Sequence, residues 1–232
     1  MGDGTVINVN TNKNPLIIGL VGFQGSGKDT IADYLVNIHE FRRESFANTL
    51  KDSVAAVFGW DRNMLEGRTK QSREWREQPD AWWSERLGMS ITPRWVLQYW
   101  GTEVCRKNFH DDIWIASLEN KLRTSSDSIV ISDCRFPNEI LSIKRAGGRI
   151  VRVVRGPEPE WYRFAEMVNQ KSSPTLEHSW AQVKLDKFNV HVSETAWIGT
   201  EFDHIITNNA SLDDLYRQVT GLVQDPQTAT VD

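Results

Sequence analysis

The chain has 232 residues, of which 39% are hydrophobic and 25% charged, an ordinary globular balance that excludes wholesale disorder and suits one medium-sized domain. A net charge of −4 disfavours a protein that binds nucleic acid by neutralising its phosphates, while still allowing a local basic pocket. Two cysteines, Cys105 and Cys134, make neither a disulfide framework nor a zinc cluster, and both read as small buried residues of a reducing cytoplasm.

The opening stretch MGDGTVINVNTNKNP is polar and lacks the charged-then-apolar order of a secretion signal. No run approaches the roughly 18 apolar residues of a membrane span. Residues 1–14 and 224–232 read as tails around a domain at 15–223. Leu16–Val21 (LIIGLV) is a short continuous apolar run, as expected of a parallel strand buried on both faces. Glycines follow at once, and Lys28–His39 then has helical spacing, with Ile31, Tyr34, Leu35 and Ile38 on one side. Asn48–Phe58 is a second helical stretch. Residues 59–92 are rich in Arg, Glu and Trp and read as a helical insert or flap; six of the ten tryptophans fall between Trp60 and Trp100. Pro93–Lys107 and Asp112–Leu122 are again helical in spacing, Ser128–Asp133 (SIVISD) is a second buried strand, and a helix follows over Asn138–Ala146, ended by Gly147 and Gly148. Arg149–Val154 is a third strand, residues 157–192 form an irregular, lid-like stretch, and Asp203–Thr207 is a fourth strand. The last helix starts at Ser211, a good N-cap, with Asp213 and Asp214 in its first turn. Strands alternating with helices predict an α/β domain built on a mostly parallel sheet.

Gly22-Phe-Gln-Gly25-Ser26-Gly27-Lys28-Asp29-Thr30 follows the first strand and opens a helix, which is the context a nucleotide phosphate loop needs. Glycines let successive N–H groups turn toward phosphate oxygens, Lys28 meets the β- and γ-phosphates, and the helix N-terminus adds partial positive charge. The usual magnesium-binding Ser or Thr directly after the lysine is replaced by Asp29, so Thr30, through water, is the better metal candidate. At the second strand's end, Asp133 and Arg135 should face this loop, since ligands bind at the carboxyl ends of parallel strands. Asp133 is placed to orient magnesium or its waters, and Arg135 to grip a phosphate bidentately, with Glu139 positioning it by charge pairing. Lys28, Asp133 and Arg135 are the catalytic candidates.

GSGKDT in the loop, the segment Arg94–Glu103 (RWVLQYWGTE), Trp114, Asp133-Cys-Arg135 and the late Ile206–Leu212 stretch (ITNNASL) together resemble the deoxynucleoside monophosphate kinases of tailed bacteriophages. The likeness runs from about residue 16 to 220, and the ordered co-occurrence of GTE, SDxR and ITN is more specific than the loop itself. It implies a P-loop kinase three-layer fold with a helical acceptor-binding insert, ATP as phosphoryl donor, Mg2+, and several deoxynucleoside monophosphates as acceptors in a host cell's cytoplasm. It also implies that Arg94, Gln98, Gly101, Thr102, Trp114, Asp133, Arg135 and Glu139 form the acceptor site. His191 and Glu194 (in HVSE) match a recurring pattern of the family to which no role is attached. The partners implied are small nucleotides, with neither nucleic acid nor membrane, and a homodimer is allowed.

A monophosphate acceptor is already anionic at neutral pH, so no general base is required; transfer depends on holding two repelling phosphates in line and offsetting the charge in flight. Arg68, Arg73 and Arg76 of the insert, lying among Trp75, Trp82 and Trp83, are candidates for gripping the acceptor phosphate, and Arg155 is a weaker one for the ATP phosphates. Each tryptophan taken singly reads as packing of the insert onto the core. Thr207 and Asn208 are placed to line the adenine pocket. Two rival readings stand beside this one: another small P-loop kinase, such as a dephospho-coenzyme A kinase, and an ATP-dependent switch without transfer to a monophosphate.

Overall fold

A computed structural model of the chain describes residues 15–170 and 176–224. The two expected tails lie outside the described residues, apart from Gln224, which ends the last helix. Among the described residues five strands pair in parallel in one sheet: β1 (Ile17–Val21), β2 (Arg42–Glu44), β3 (Ile129–Ile131), β4 (Arg149–Val154) and β5 (His204–Thr207), in the spatial order β2-β3-β1-β4-β5. The glycine-rich loop thus leaves the central strand, with β3 in register on one side (Gly19 opposite Ile131) and β4 on the other (Gly19 opposite Ile150).

The first two helices, α1 (Lys28–His39) and α2 (Asn48–Phe58), keep the bounds that their apolar spacing predicts. Three short helices, α3 (Arg62–Glu66), α4 (Lys70–Glu77) and α5 (Ala81–Leu87), make up residues 59–92. After α6 (Pro93–Tyr99) come α7 (Ile113–Thr124), α8 (Pro137–Arg145), α9 (Tyr162–Asn169) and α10 (Leu176–Asp186). The one-turn α11 (Val192–Thr195) and α12 (Leu212–Gln224) complete the chain. One face of the sheet packs Ile18, Leu20 and Val151 against Ile31, Leu35, Leu215 and Val219 of α1 and α12. The other packs Ile129, Ile131 and Ile150 against Leu118, Ile140, Ile143 and Trp197. At Gly19 a Cβ would come within 2.8 Å of Ile143, so glycine in the central strand lets α8 lie close to the sheet.

The insert has a core of its own. Val54, Trp60, Leu65, Ile91 and Val96 are buried together, with Phe58, Trp75, Trp83 and Trp100 packed around them. Trp60 stacks on Phe58 with ring centres 4.6 Å apart and donates from Nε1 to Asp80 (2.8 Å); Trp83 donates to the Phe58 carbonyl (3.0 Å). Each short helix is capped by a side chain, Asp61, Thr69 and Asp80 accepting from Asn63, Ser72 and Trp83 amides respectively. Most of the tryptophan excess is therefore a packing device, although Trp82 stays 62% exposed.

Three stretches differ from expectation, one being residues 157–192, expected to be irregular, whose described part holds the helices α9 and α10. The strand β2 carries the sequence Arg-Arg-Glu and no apolar signal, because it is an edge strand; Phe41 just before it supplies the buried anchor. The single helix expected over Pro93–Lys107 widens after Tyr99 into a π-helix over Trp100–Lys107. Gly101 lies there against Leu50, which a Cβ would approach to 2.9 Å, and its carbonyl accepts from Trp114 Nε1 (3.0 Å). At the opposite edge of the sheet the Gln218 side-chain amide bonds both the N–H and the C=O of Thr207, closing part of β5's open ladder.

Candidate active site

The chain leaves β1 through Gly22, Gly25 and Gly27, with φ of 144°, 79° and 108°. A Cβ at Gly22 would run into the Val153 carbonyl, and one at Gly27 into the Asn208 amide, so both positions demand glycine for space as well as for backbone angle. Asn208 Nδ2 donates to the Ser26 carbonyl (2.8 Å), bracing the loop from the end of β5. Lys28 Nζ donates to the carbonyls of Gly22 (2.7 Å) and Phe23 (2.8 Å), folded over its own loop. Burial pulls its pKa below the usual lysine value, against the opposing pull of Glu194 and Asp29.

A cavity of about 740 Å3 opens in front of this loop, at the carboxyl ends of the strands. Its donor side is the loop itself with Asp29, Thr30, Arg155 and Asn208. Its far side is formed by Glu44, Ser45, Asn48, Lys51, Arg62, Glu66 and Arg68, from β2, α2, α3 and the turn after α3. Between them stand Asp133, Arg135, Ser193 and Glu194. The far wall is a continuous polar network. Lys51 and Arg62 both pair with Glu66, Lys51 at 2.8 Å, and these bonds outweigh burial to hold the Glu66 pKa below the usual carboxylate value. Arg62 also reaches Asp52 (2.6 Å) and Asn48 (3.3 Å), and Asn48 in turn donates to Glu44 (3.0 Å).

Asp133 Oδ1 is shut off from solvent and has no hydrogen-bond partner. Burial pushes its pKa up to about 6, against the pull of Lys51 and neighbouring backbone N–H groups. A buried acceptor without a donor is what a cation could satisfy, and Asp133, Thr30 and Glu194, which line the same cavity, offer the hard oxygens that suit magnesium. Among the described residues no three acidic, His or Cys side chains form a ready cage, so phosphate oxygens would have to complete the ion's shell.

Arg135 Nη1 donates to Ser193 Oγ (3.3 Å), and Ser193 Oγ lies 2.8 Å from His191 Nδ1. His191 Nδ1 also accepts from the Ser193 amide (3.2 Å), capping α11. The HVSE segment thus acquires a structural role, in which His191 fixes Ser193, Ser193 steadies Arg135, and Glu194 faces the lysine. Glu139 holds Arg135 otherwise than by charge pairing. Its Oε2 accepts from the backbone N–H groups of Arg135 (2.8 Å) and Phe136 (3.1 Å), capping α8, and burial pushes its pKa up to about 7.

The structure thus brings Gly25, Gly27, Lys28, Asp29, Thr30, Arg68, Asp133, Arg135 and Asn208 around one cavity, with Ser26 buried inside the loop. Other candidates do not line it. Arg73 turns onto the Arg68 carbonyl (2.9 Å), Arg76 lies over Gly67 and reaches toward the Leu65 carbonyl (3.4 Å), and Arg94 pairs with Glu77 (3.1 Å). Gln98 and Thr102 are exposed, Gly101 and Trp114 are buried behind the insert, and Thr207 is tied to Gln218 on the sheet edge. Lys51, Arg62, Glu66 and Arg43 line the cavity without having been singled out by sequence. Their one visible signal is charge, on the helices α2 and α3 for Lys51, Arg62 and Glu66 and on the edge strand β2 for Arg43, which ordinary surface elements share.

No protein-family model matches the chain. A protein of Acanthamoeba polyphaga mimivirus with the provisional name deoxynucleotide monophosphate kinase is 34% identical, over 60% of this chain and 74% of its own. The deoxynucleoside-5′-monophosphate kinase of Escherichia phage T5 is 26% identical, over 53% of this chain and 70% of its own. Among solved structures, shikimate kinase from Aquifex aeolicus overlays with a TM-score of 0.44 at 13% identity, covering 92% of this chain and 99% of that one, too loosely to bear on substrate. At 34% identity over 154 residues, which span 74% of the mimivirus protein, the chain belongs to the deoxynucleotide monophosphate kinase family.

Proposed function

We propose that the protein transfers the γ-phosphoryl group of ATP to deoxynucleoside 5′-monophosphates, giving ADP and the diphosphate. The observation that carries this reading is the cavity joining the phosphate loop to a second wall that bears Lys51, Arg62 and Arg68 among Glu44 and Glu66, across Asp133 and Arg135. One polyanion fits each wall, and the gap between them is where transfer takes place.

An oxygen of the acceptor phosphate attacks the γ-phosphorus in line, and the bond to the β–γ bridging oxygen breaks. Two such anions about 4 Å apart repel by about 4 kcal/mol at a surface-like effective dielectric, which the site must offset. Lys28 turns from its loop carbonyls to the donor phosphates, Arg135 reaches the moving group from the centre, and Arg155 covers the donor side. Asp133 and Thr30, through water, are the residues that would hold magnesium, which when bound would supply positive charge against the phosphates. The first residues of the lid-like segment lie against the phosphate loop, Phe23 and Trp161 meeting at a steep angle with ring centres 5.2 Å apart, which supports a lid role on the donor side. Residues 59–92 are the acceptor-binding insert of the single domain, contributing Arg62, Glu66 and Arg68. Among the described residues no helix is long and apolar enough to cross a membrane. The phage relative favours a viral enzyme working in a host's cytoplasm.

A coupled assay with ATP, magnesium and a panel of acceptors tests the reading. Turnover of dGMP or dTMP with none of dephospho-coenzyme A is expected. ATP hydrolysis that never phosphorylates a monophosphate would overturn it.

A further inference from the structure

The carboxylate of Asp29 stands in the first turn of α1 where phosphate loops ordinarily place a hydroxyl, on the wall that receives the donor phosphates. An unrestrained carboxylate there would swing through the space of a polyanion. It is not unrestrained. Arg43, from the edge strand β2, pairs through Nη2 with Asp29, and the same nitrogen donates to Ser132 Oγ (2.7 Å). Its Nη1 pairs with Asp33 (2.8 Å), one helical turn after Asp29. The Arg43 side chain is itself only 20% exposed, although Asp29 and Asp33 are largely open to water. One planar fork therefore joins the first two turns of α1 to the residue preceding Asp133.

We infer that Arg43 is a positioning residue for phosphoryl transfer, acting through Asp29 and fixing the donor loop against the β3 end that carries Asp133. This rests on the kinase reading above. Geometry, and not charge alone, is the requirement: a guanidinium can serve three acceptors in one plane, whereas a lysine ammonium on its flexible stem cannot hold the same arrangement.

The test is a double-mutant cycle on the full chain, with Arg43→Met, Asp29→Asn and the pair, read by steady-state kinetics and by calorimetric binding of ATP with magnesium. Arg43→Met is expected to lower kcat/KM for ATP at least tenfold, with acceptor KM changed less than twofold. In the Asp29→Asn background the same substitution should cost less than threefold. Arg43→Lys should recover less than a third of the loss. Equal cost of Arg43→Met in both backgrounds, or full rescue by lysine, overturns the inference. If Arg43→Met does not fold, Arg43→Gln takes its place in the cycle. A wild-type chain that binds ATP but phosphorylates no monophosphate would sink the kinase reading instead, and the cycle in ATP affinity would then still decide the role of Arg43.

Discussion

Asp133 shows how one side chain can cost stability in order to serve chemistry. Its carboxyl keeps an unpartnered oxygen in a buried place, and ionising it there is unfavourable. Asp133→Asn is expected to lower kcat by a hundredfold or more while raising the melting temperature at pH 8 by several degrees, a combination that thermal melts and the coupled assay check together. Equal or lower stability at pH 8 would contradict the burial argument. Lys28→Met should abolish measurable transfer, since nothing else on the loop carries a positive charge to the donor phosphates, with near-unchanged far-UV circular dichroism. These residues were legible because their chemistry is local: a strand, glycines and a lysine in sequence, or a carboxylate and an arginine just past a buried run. Lys51, Arg62 and Glu66 were not. Each is an ordinary charged residue on a short helix, and tertiary packing alone turns them inward to one another.

At the scale of elements, sequence periodicity located what was long and apolar. The helices α1 and α2 and the strands β1, β3, β4 and β5 follow from it almost to the residue. It missed β2, whose three charged residues pair only because β3 offers a ladder beside them. It also missed the widening of α6, which depends on how Gly101 meets Leu50 and Trp114 from other helices. The insert reads as arginine and indole in sequence, and in space it is a small folded unit hinged on Asp80. That residue accepts from Trp60 and caps α5 at once. Asp80→Ala should therefore destabilise the protein by about 2 kcal/mol. It should raise acceptor KM severalfold with ATP KM unchanged, a split that substrate-saturation kinetics would show. Equal effects on both substrates would mean that the insert does not act on the acceptor side separately.

For the whole molecule, titration sets a preference for mild acidity. The folded pKa values of Asp133 and Glu139 lie near 6 and 7, above their unfolded values. Below about pH 4 both forms are protonated and no penalty arises. From about pH 4 up to the folded values near 6 and 7 the unfolded chain has released these protons while the folded one still holds them, so stability is lost across that window and the loss is complete above about pH 7. Glu66 works in the opposite sense: its folded pKa is depressed, and its contribution is lost as pH falls below the usual carboxylate range. Melting temperature should therefore peak between about pH 4 and 5, decline toward pH 7 and level off above it. The decline should be shallower in Asp133→Asn with Glu139→Gln; an unchanged slope in that double variant would place the titrating groups elsewhere.

Phe23 has an optical consequence. Its ring touches the edges of Trp161 and Trp197, with ring centres 5.2 and 5.1 Å away, while its carbonyl holds the Lys28 ammonium. When the lysine leaves that carbonyl for a phosphate, the charge beside two indoles changes. Tryptophan emission is therefore expected to change as the donor binds, which a fluorescence titration with ATP checks with no dye attached.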